Sequence, residues 1–160
     1  MDLTIRPVRP DELVQLVALC AEHAEYEKLC YHANGQQQRL QTALFSQPAR
    51  LFSWVVADDN GVLRGYVAAT IDYSTWSAAP FVYMDCLYLT ASLRGHGIGQ
   101  QLMKTLIDFA EQNECSEIQW QTPPDNQLGI GFYQHIGANR LPKARFTLNR
   151  TSRLWQRNAA

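Results

Sequence analysis

Phe81-Val82-Tyr83-Met84-Asp85-Cys86-Leu87-Tyr88-Leu89, followed after Thr90-Ala91-Ser92-Leu93 by Arg94-Gly95-His96-Gly97-Ile98-Gly99, is the stretch from which the fold is read. Its first part is apolar on both alternating faces except at Asp85, which predicts a strand covered on both sides. Beyond the glycines, Ile98, Leu102, Leu106, Phe109 and Ala110 recur at spacings of three and four and predict an amphipathic helix. Glycines at a strand-to-helix turn let a backbone approach a ligand closely, and the first helical turn offers N–H groups with no partner in the chain. With the partial positive charge of the helix start and the full charge of Arg94, the turn is a candidate phosphate site; a tight connection with no ligand is the competing reading.

The rest of the chain arranges itself around that unit. Leu3 to Pro7 is β-prone, and Arg9-Pro10-Asp11-Glu12 leads into a helix with Leu13, Leu16, Val17, Cys20 and Ala24 on one face, continuing to about Leu29. Asn34-Gly35 breaks it, and Gln36 to Phe45 predicts a second helix. Leu51 to Ala57, the turn Asp58-Asp59-Asn60-Gly61 and Val62 to Tyr73 form a hairpin. Ser74 to Pro80 is a loop carrying Trp76. After the glycine turn and its helix, Ser116 to Gln121 reads as a strand, and Asp125 caps a helix from Asn126 to about Ile136. Asn139 to Leu141 and Lys143 to Leu148 read as two final strands around Pro142, before a polar tail.

Length bounds the organisation to one domain, residues 1–148, with a C-terminal tail over 149–160. Hydrophobic content of 46% with 18% charged residues fits a soluble globular chain, and no run reaches the roughly 18 apolar residues of a membrane span. The N-terminal residues carry no secretory pattern, so a cytoplasmic location is expected. A net charge of −1 gives no general attraction for nucleic acid or anionic lipid, so a phosphate ligand must be held locally. Cys20, Cys30, Cys86 and Cys115 are scattered, as are His23, His32, His96 and His135; no metal site is expected. Cys86 is read as a buried structural thiol, with a thiol beside the acyl group as the second reading.

The spacing Gly-x-Gly-x-Gly past the middle of the chain does not fit a dinucleotide loop, which opens its domain as Gly-x-Gly-x-x-Gly. Arg94-Gly95-His96-Gly97-Ile98-Gly99 resembles the Arg/Gln-x-x-Gly-x-Gly/Ala pyrophosphate loop of the GCN5-related N-acetyltransferases (GNAT), and the order of elements resembles theirs nearly end to end. That resemblance implies an α/β GNAT fold: a mixed central sheet of about seven strands with four helices, splayed at the central strands. It implies acetyl-CoA as co-substrate, its pantetheine lying along Leu87, Tyr88 and Leu89 and its pyrophosphate on Arg94, Gly95, His96, Gly97, Ile98, Gly99 and Gln100. Splaying of the central strand from Ile118-Gln119-Trp120 would create the opening.

Acetyl transfer needs a neutral amine, a polarised carbonyl and a proton for the departing thiolate. Asn126 and Tyr133 are seven residues apart, which places them on one helical face. Their segment resembles the family's Asn-x-x-Ala-x-x-Phe-Tyr-x-x-x-Gly, with Gly129 in place of alanine; the match implies that Asn126 contacts the cofactor and Tyr133 is both a cofactor contact and the general acid. Phe132-Tyr133 as a core pair is the alternative. Asp85, a lone carboxylate in an apolar strand, is either a buried hydrogen-bonded acid or a partly buried group that accepts a proton from, or anchors, an ammonium substrate. Ala24-Glu25-Tyr26-Glu27, Tyr83-Met84-Asp85 and the Phe132-Tyr133 segment resemble the diamine and thialysine N-acetyltransferase group, which implies that Tyr26 and Glu27 bind the amine. Without that resemblance, Glu25-Tyr26-Glu27 is a solvated helix face. Cys86 stands where the polyamine enzymes carry a second acid, and the segment between Trp120 and Asn126 is longer, so a shorter amine or amino acid fits as well as a polyamine.

The expected activity is therefore transfer of acetyl from acetyl-CoA to a primary amine of a small cationic substrate, a diamine, polyamine or lysine-like amino acid, by direct attack in a ternary complex. A protein or peptide N-acetyltransferase and a non-catalytic acyl-CoA-binding module are the alternatives. The resemblance suggests a homodimer, and the tail with Leu154 and Trp155 reads equally as part of one or as a frayed end.

Overall fold

A computed structural model describes residues 2–32 and 34–157 of the chain. Among these residues five strands form one mixed sheet in the order β1 (Leu3–Pro7), β2 (Phe52–Asp58), β3 (Leu63–Ser74), β4 (Ala79–Leu89) and β5 (Ile118–Gln119). The first three pairings are antiparallel and the last is parallel. The helices are α1 (Leu13–Tyr26), α2 (Gln36–Phe45), α3 (Ile98–Gln112), α4 (Gln127–His135) and α5 (Arg153–Arg157). The chain divides between Asn126 and Gln127 into two compact units. The first holds the sheet and α1 to α3.

Two apolar layers sandwich the sheet. On one face Leu13, Leu16 and Leu19 of α1 and Leu44 of α2 pack with Val55, Tyr66, Ala68 and Tyr88. The other helical layer comes from α3, whose Ile98, Leu102, Met103, Leu106, Phe109 and Ala110 are all buried at the predicted spacing. Phe109 meets the rings of Phe52 and Trp54 at 4.7 and 4.9 Å. Full burial of Leu102 and Leu106 stabilises the fold by about 1.5–3 kcal/mol each.

The hairpin forms as its turn chemistry requires. Asp58 Oδ1 accepts from the N–H groups of Asn60 and Val62, Arg64 Nε donates to Asp58 Oδ2 at 2.9 Å, and Gly61 takes the left-handed conformation that closes the turn. Near the start of β3, a Cβ on Gly65 would stand 2.7 Å from the carbonyl oxygen of Tyr88, so glycine is what lets β3 and β4 approach there.

Three expectations are corrected. The sheet has five strands among the described residues and not about seven, because Asn139–Leu141 and Lys143–Leu148 form none. Lys143 N–H donates to the carbonyl of Leu141, a three-residue turn centred on Pro142, and the segment is exposed throughout. Five helices stand where four were expected, since the tail contains the short α5. The strand expected over Ser116–Gln121 shrinks to Ile118–Gln119, ahead of Thr122-Pro123-Pro124, where prolines cannot donate to a ladder.

One buried acid secures the entry to α1. Glu12 is 2% exposed, and its carboxylate accepts from Arg6 Nη1 at 2.8 Å, from Arg9 Nη2 at 2.8 Å and from the Arg9 backbone N–H at 2.9 Å. The Arg6 guanidinium above all holds its pKa down at about 2, against an ordinary 4.5. A carboxylate depressed in the folded state contributes stability that is full above pH 4.5 and is lost as pH falls through about 2. Glu12→Gln should therefore cost about 3 kcal/mol at pH 7 and progressively less below pH 4, measured as the shift of the urea midpoint across pH.

Candidate active site

The site begins with a break in strand register. Ala68 pairs with Cys86 and the next residue, Ala69, pairs with Met84, so Asp85 is an extra residue in β4 with no partner on β3. Inserting one residue reverses the parity of a strand. Below the bulge Met84 pairs with Ala69, and above it Leu87 pairs with Val67, the residue of β3 on the same face as Ala69. Even-numbered residues thus face one helical layer before Asp85 and odd-numbered ones after it. The bulge also turns Asp85 outward. Its side chain is exposed, which corrects the expectation of partial burial, and the Cys86 thiol donates to Asp85 Oδ2 at 3.6 Å.

On its other side β4 pairs with β5 only at Val82 and Tyr83. From Met84 to Leu89, the backbone groups on that side have no strand partner among the described residues. This is the splay expected from the sequence, and it opens a strand edge at Leu87, Tyr88 and Leu89 that an extended ligand can join by main-chain hydrogen bonds.

The edge leads to the glycine turn. Gly95 and Gly97 both have φ of 78°, the left-handed region that favours glycine, and a Cβ on either would meet nothing within 4 Å. Gly97 precedes α3, and the first intrahelical bond runs from Gln101 N–H to Gly97 C=O. The N–H groups of Ile98, Gly99 and Gln100 therefore lie ahead of any helical acceptor, as an anion site at a helix start requires. His96 is exposed and its Nδ1 donates to the carbonyl of Arg94 at 2.8 Å.

Arg94, Tyr26, Tyr88 and Asn126 come together. Arg94 Nε donates to the Leu89 carbonyl at 3.0 Å, and its guanidinium lies 4.5 Å from the Tyr26 ring centroid and 5.6 Å from that of Tyr88. The Tyr26 hydroxyl donates to Asn126 Oδ1 at 3.0 Å, while Asn126 Nδ2 donates to Thr122 Oγ1 at 2.8 Å. Asn126 immediately precedes α4, so the capping position that the sequence assigns to Asp125 belongs to Asn126; Asp125 instead lies 3.7 Å from Lys28 Nζ.

Glu27 belongs to a second group on the α1 face. His23 Nε2 lies 3.2 Å from Glu27 Oε1, and His23 Nδ1 lies 3.1 Å from the Tyr66 hydroxyl. A carboxylate only accepts, so Nε2 carries the proton and Nδ1 accepts from the phenol. Burial lowers the His23 pKa and raises that of Tyr66, which keeps the imidazole neutral and the phenol protonated. Burial, with the Asp85 carboxylate next in weight, pushes the Cys86 thiol up to about 12. A thiol held protonated is a poor nucleophile. Sequence reasoning gave His23 and Tyr66 no role. The four-residue spacing of His23 and Glu27 was a usable signal, whereas nothing in the β3 sequence distinguishes Tyr66 from a core residue.

In the second unit, α4 carries Phe132 and Tyr133, both half-buried, with ring centroids 5.3 Å apart. The helix ends at Gly137, with φ of 85°, and Ala138 N–H donates to the Tyr133 carbonyl at 3.0 Å.

An open edge beside a bulge and a glycine turn at a helix start suit a long ligand with an anionic group, and the comparisons give the family. The chain belongs to the Acetyltransferase (GNAT) family, whose sequence profile matches residues 14–138. It is an acetyl-CoA-dependent N-acetyltransferase. It is 25% identical over 148 residues to a thialysine N-epsilon-acetyltransferase of Mus musculus, covering 88% of this chain and 86% of that protein. A phosphinothricin N-acetyltransferase of Alcaligenes faecalis is 31% identical over 113 residues, 68% of this chain and 55% of that protein. Among solved structures, an aminoglycoside N-acetyltransferase in complex with CoA superimposes with a TM-score of 0.78 at 20% identity, over 93% of this chain and 95% of the other.

The turn carries a direct test. Gly97→Ala adds a methyl group to open space but forces a left-handed backbone on an L side chain, and should cost about 1–2 kcal/mol of stability in a urea titration.

Proposed function

We propose that this enzyme acetylates the primary amine of a small cationic substrate, a diamine, polyamine or lysine-like amino acid, by direct attack in a ternary complex. The observation that carries the reading is the unpaired edge of β4, which runs from the exposed carboxylate at Asp85 to the glycine turn before α3. Acetyl-CoA laid along that edge has its pantetheine amides on the backbone of Leu87, Tyr88 and Leu89. Its pyrophosphate falls on the N–H groups from Gly95 to Gln100, with Arg94 and His96 beside them. Asn126 contacts the cofactor.

The chemistry then assigns the remaining residues. Asp85 anchors the substrate ammonium or takes its proton, and the neutral amine attacks the thioester carbonyl. As the C–S bond breaks, the CoA thiolate takes a proton from the Tyr133 phenol, while the new amide nitrogen loses its extra proton to water, from which the phenolate is reprotonated. Tyr26, the last residue of α1, and Glu27, immediately after it, bind the amine substrate. Residues 1–148 act together as one acetyltransferase domain, and α5, with Leu154 and Trp155 exposed, suits the contact of a homodimer. The names of the relatives support an amine acceptor: thialysine, phosphinothricin and aminoglycosides all carry one.

Tyr133→Phe should lower kcat about 100-fold or more in a thiol-release assay while calorimetry finds acetyl-CoA affinity within about twofold of the parent. Unchanged turnover would remove Tyr133 from the mechanism. Asp85→Asn should act chiefly on the acceptor, raising its KM about tenfold, with the KM for acetyl-CoA unmoved.

A further inference from the structure

A hydrogen-bond chain of three side chains stands behind the bulge, and the described mechanism does not use it. A cavity of about 490 Å³ opens between α1 and α2, and its lining includes Tyr66, His23, Glu27 and Cys86. Tyr66 is 2% exposed; its hydroxyl donates to His23 Nδ1 at 3.1 Å, and His23 Nε2 donates to Glu27 Oε1 at 3.2 Å. Phenol, imidazole and carboxylate thus stand in series, with every hydrogen pointing from Tyr66 toward Glu27. That order is the one a proton needs to pass from the cavity into the imidazole.

The surroundings leave the entry of this chain open and fix its middle. The thiols of Cys20 and Cys86 both stand beside the Tyr66 hydroxyl, but the Cys86 thiol donates to Asp85 Oδ2 at 3.6 Å. The Tyr66 oxygen therefore keeps an acceptor position for a donor that enters the cavity, close to the carboxylate at the bulge. The His23 ring stacks on that of Tyr88 at 5.2 Å, and the Tyr88 hydroxyl in turn reaches Glu22. Glu27 and the Asp85 carboxylate on β4 favour a charged imidazole, whereas burial and Arg94 oppose it; Arg39 of α2 lines the same cavity. Burial outweighs the rest, so His23 is neutral and ready to accept, with a counter-charge already in place at Nε2.

We infer that Tyr66 and His23 are the route by which the acceptor ammonium loses its first proton, with Asp85 as its anchor. One N–H bond of the ammonium breaks as its proton passes to the Tyr66 oxygen, the Tyr66 proton passes to His23 Nδ1, and the nitrogen keeps the electron pair that attacks the thioester. The imidazolium rests against Glu27 until the products leave, then returns its proton by the same path to water in the emptied cavity. Tyr66 touches the substrate and is the catalytic residue; His23 acts through it, and Glu27 holds the tautomer in which Nδ1 is free to accept. The inference rests on the acetyl-transfer reading and settles on anchoring as the role of Asp85 within it.

Thiol release from acetyl-CoA, followed from pH 6.5 to 9 with spermidine, 1,5-diaminopentane and L-lysine as acceptors, tests the route. Tyr66→Phe and His23→Gln should lower kcat/KM for the acceptor about 100-fold at pH 7. Both should then gain about tenfold per pH unit, as the free amine of an ammonium with a pKa of about 10 becomes available. By pH 9 they should come within a few-fold of the parent, with the KM for acetyl-CoA unmoved throughout. Asp85→Asn should lose one constant factor across the range, because an anchor takes no proton. A loss in Tyr66→Phe that is equal at every pH gives the hydroxyl a structural role and overturns the route, as does a loss in Asp85→Asn that closes at high pH. Release from none of the three acceptors by the parent refutes the transfer reading itself. Release that Tyr66→Phe and His23→Gln match at every pH keeps the transfer and refutes the route. Imidazole NMR gives a readout independent of turnover: His23 should be neutral at pH 7 with its proton on Nε2, and a proton on Nδ1 instead would deprive Tyr66 of its acceptor and overturn the inference.

Discussion

The single extra residue in β4 is the constraint on which the site depends. A strand reads its two faces with a period of two, and Asp85 interrupts that period once. Without the interruption, Leu87 and Leu89 would point into the α1 layer, and Tyr88 would face α3. With it, both layers receive apolar side chains along the length of β4, and the one residue that has no partner is the one that carries charge. The bulge therefore settles a packing problem and places a carboxylate in solvent at the same point.

The open edge of β4 follows from the short β5. Parallel pairing persists for two residues and then stops before two prolines, so the sheet parts where the bulge has already turned β4. The backbone left without a strand partner leads toward the start of α3, and the turn between them takes left-handed φ at Gly95 and Gly97. The strand edge presents backbone groups on one side of this turn, and the start of α3 presents N–H groups on the other. This is a geometry for a long, polar ligand with a phosphate at one end.

The polar face of α1 gives the site its second wall. Glu22, His23, Tyr26 and Glu27 occupy two adjacent turns and reach different partners: Tyr88, Tyr66, Asn126 and the His23 imidazole. Tyr88 connects them, since its ring stacks on His23 at 5.2 Å and lies under the Arg94 guanidinium. The helix that reads as a solvated surface by charge alone is thus tied to β3, β4 and the glycine turn. These contacts join the α1 wall to the end of the edge beside the glycine turn.

Local rules were enough for the elements of the first unit. Periodicity of 3.6 marked α1 and α3, the Asp58–Gly61 turn marked the hairpin, and the Gly-x-Gly-x-Gly spacing marked the turn before α3, because each depends on residues a few positions apart. The same rules misjudged Asn139–Leu148, where alternation suggested strands but Pro142 closes a turn and no ladder forms. What the chain alone did not disclose is long-range. The bulge at Asp85 exists only in register against Ala68 and Ala69, and its side chain is exposed because that register turns it out. The His23–Tyr66 contact spans 43 positions. Sequence by itself determined the helices and strands of the first unit and the place of the glycine turn before α3, since local backbone chemistry decides these. Tertiary structure alone decided which side chains line the cavity between α1 and α2 and that Asp85 stands in solvent, since these depend on which strands pair and in what register.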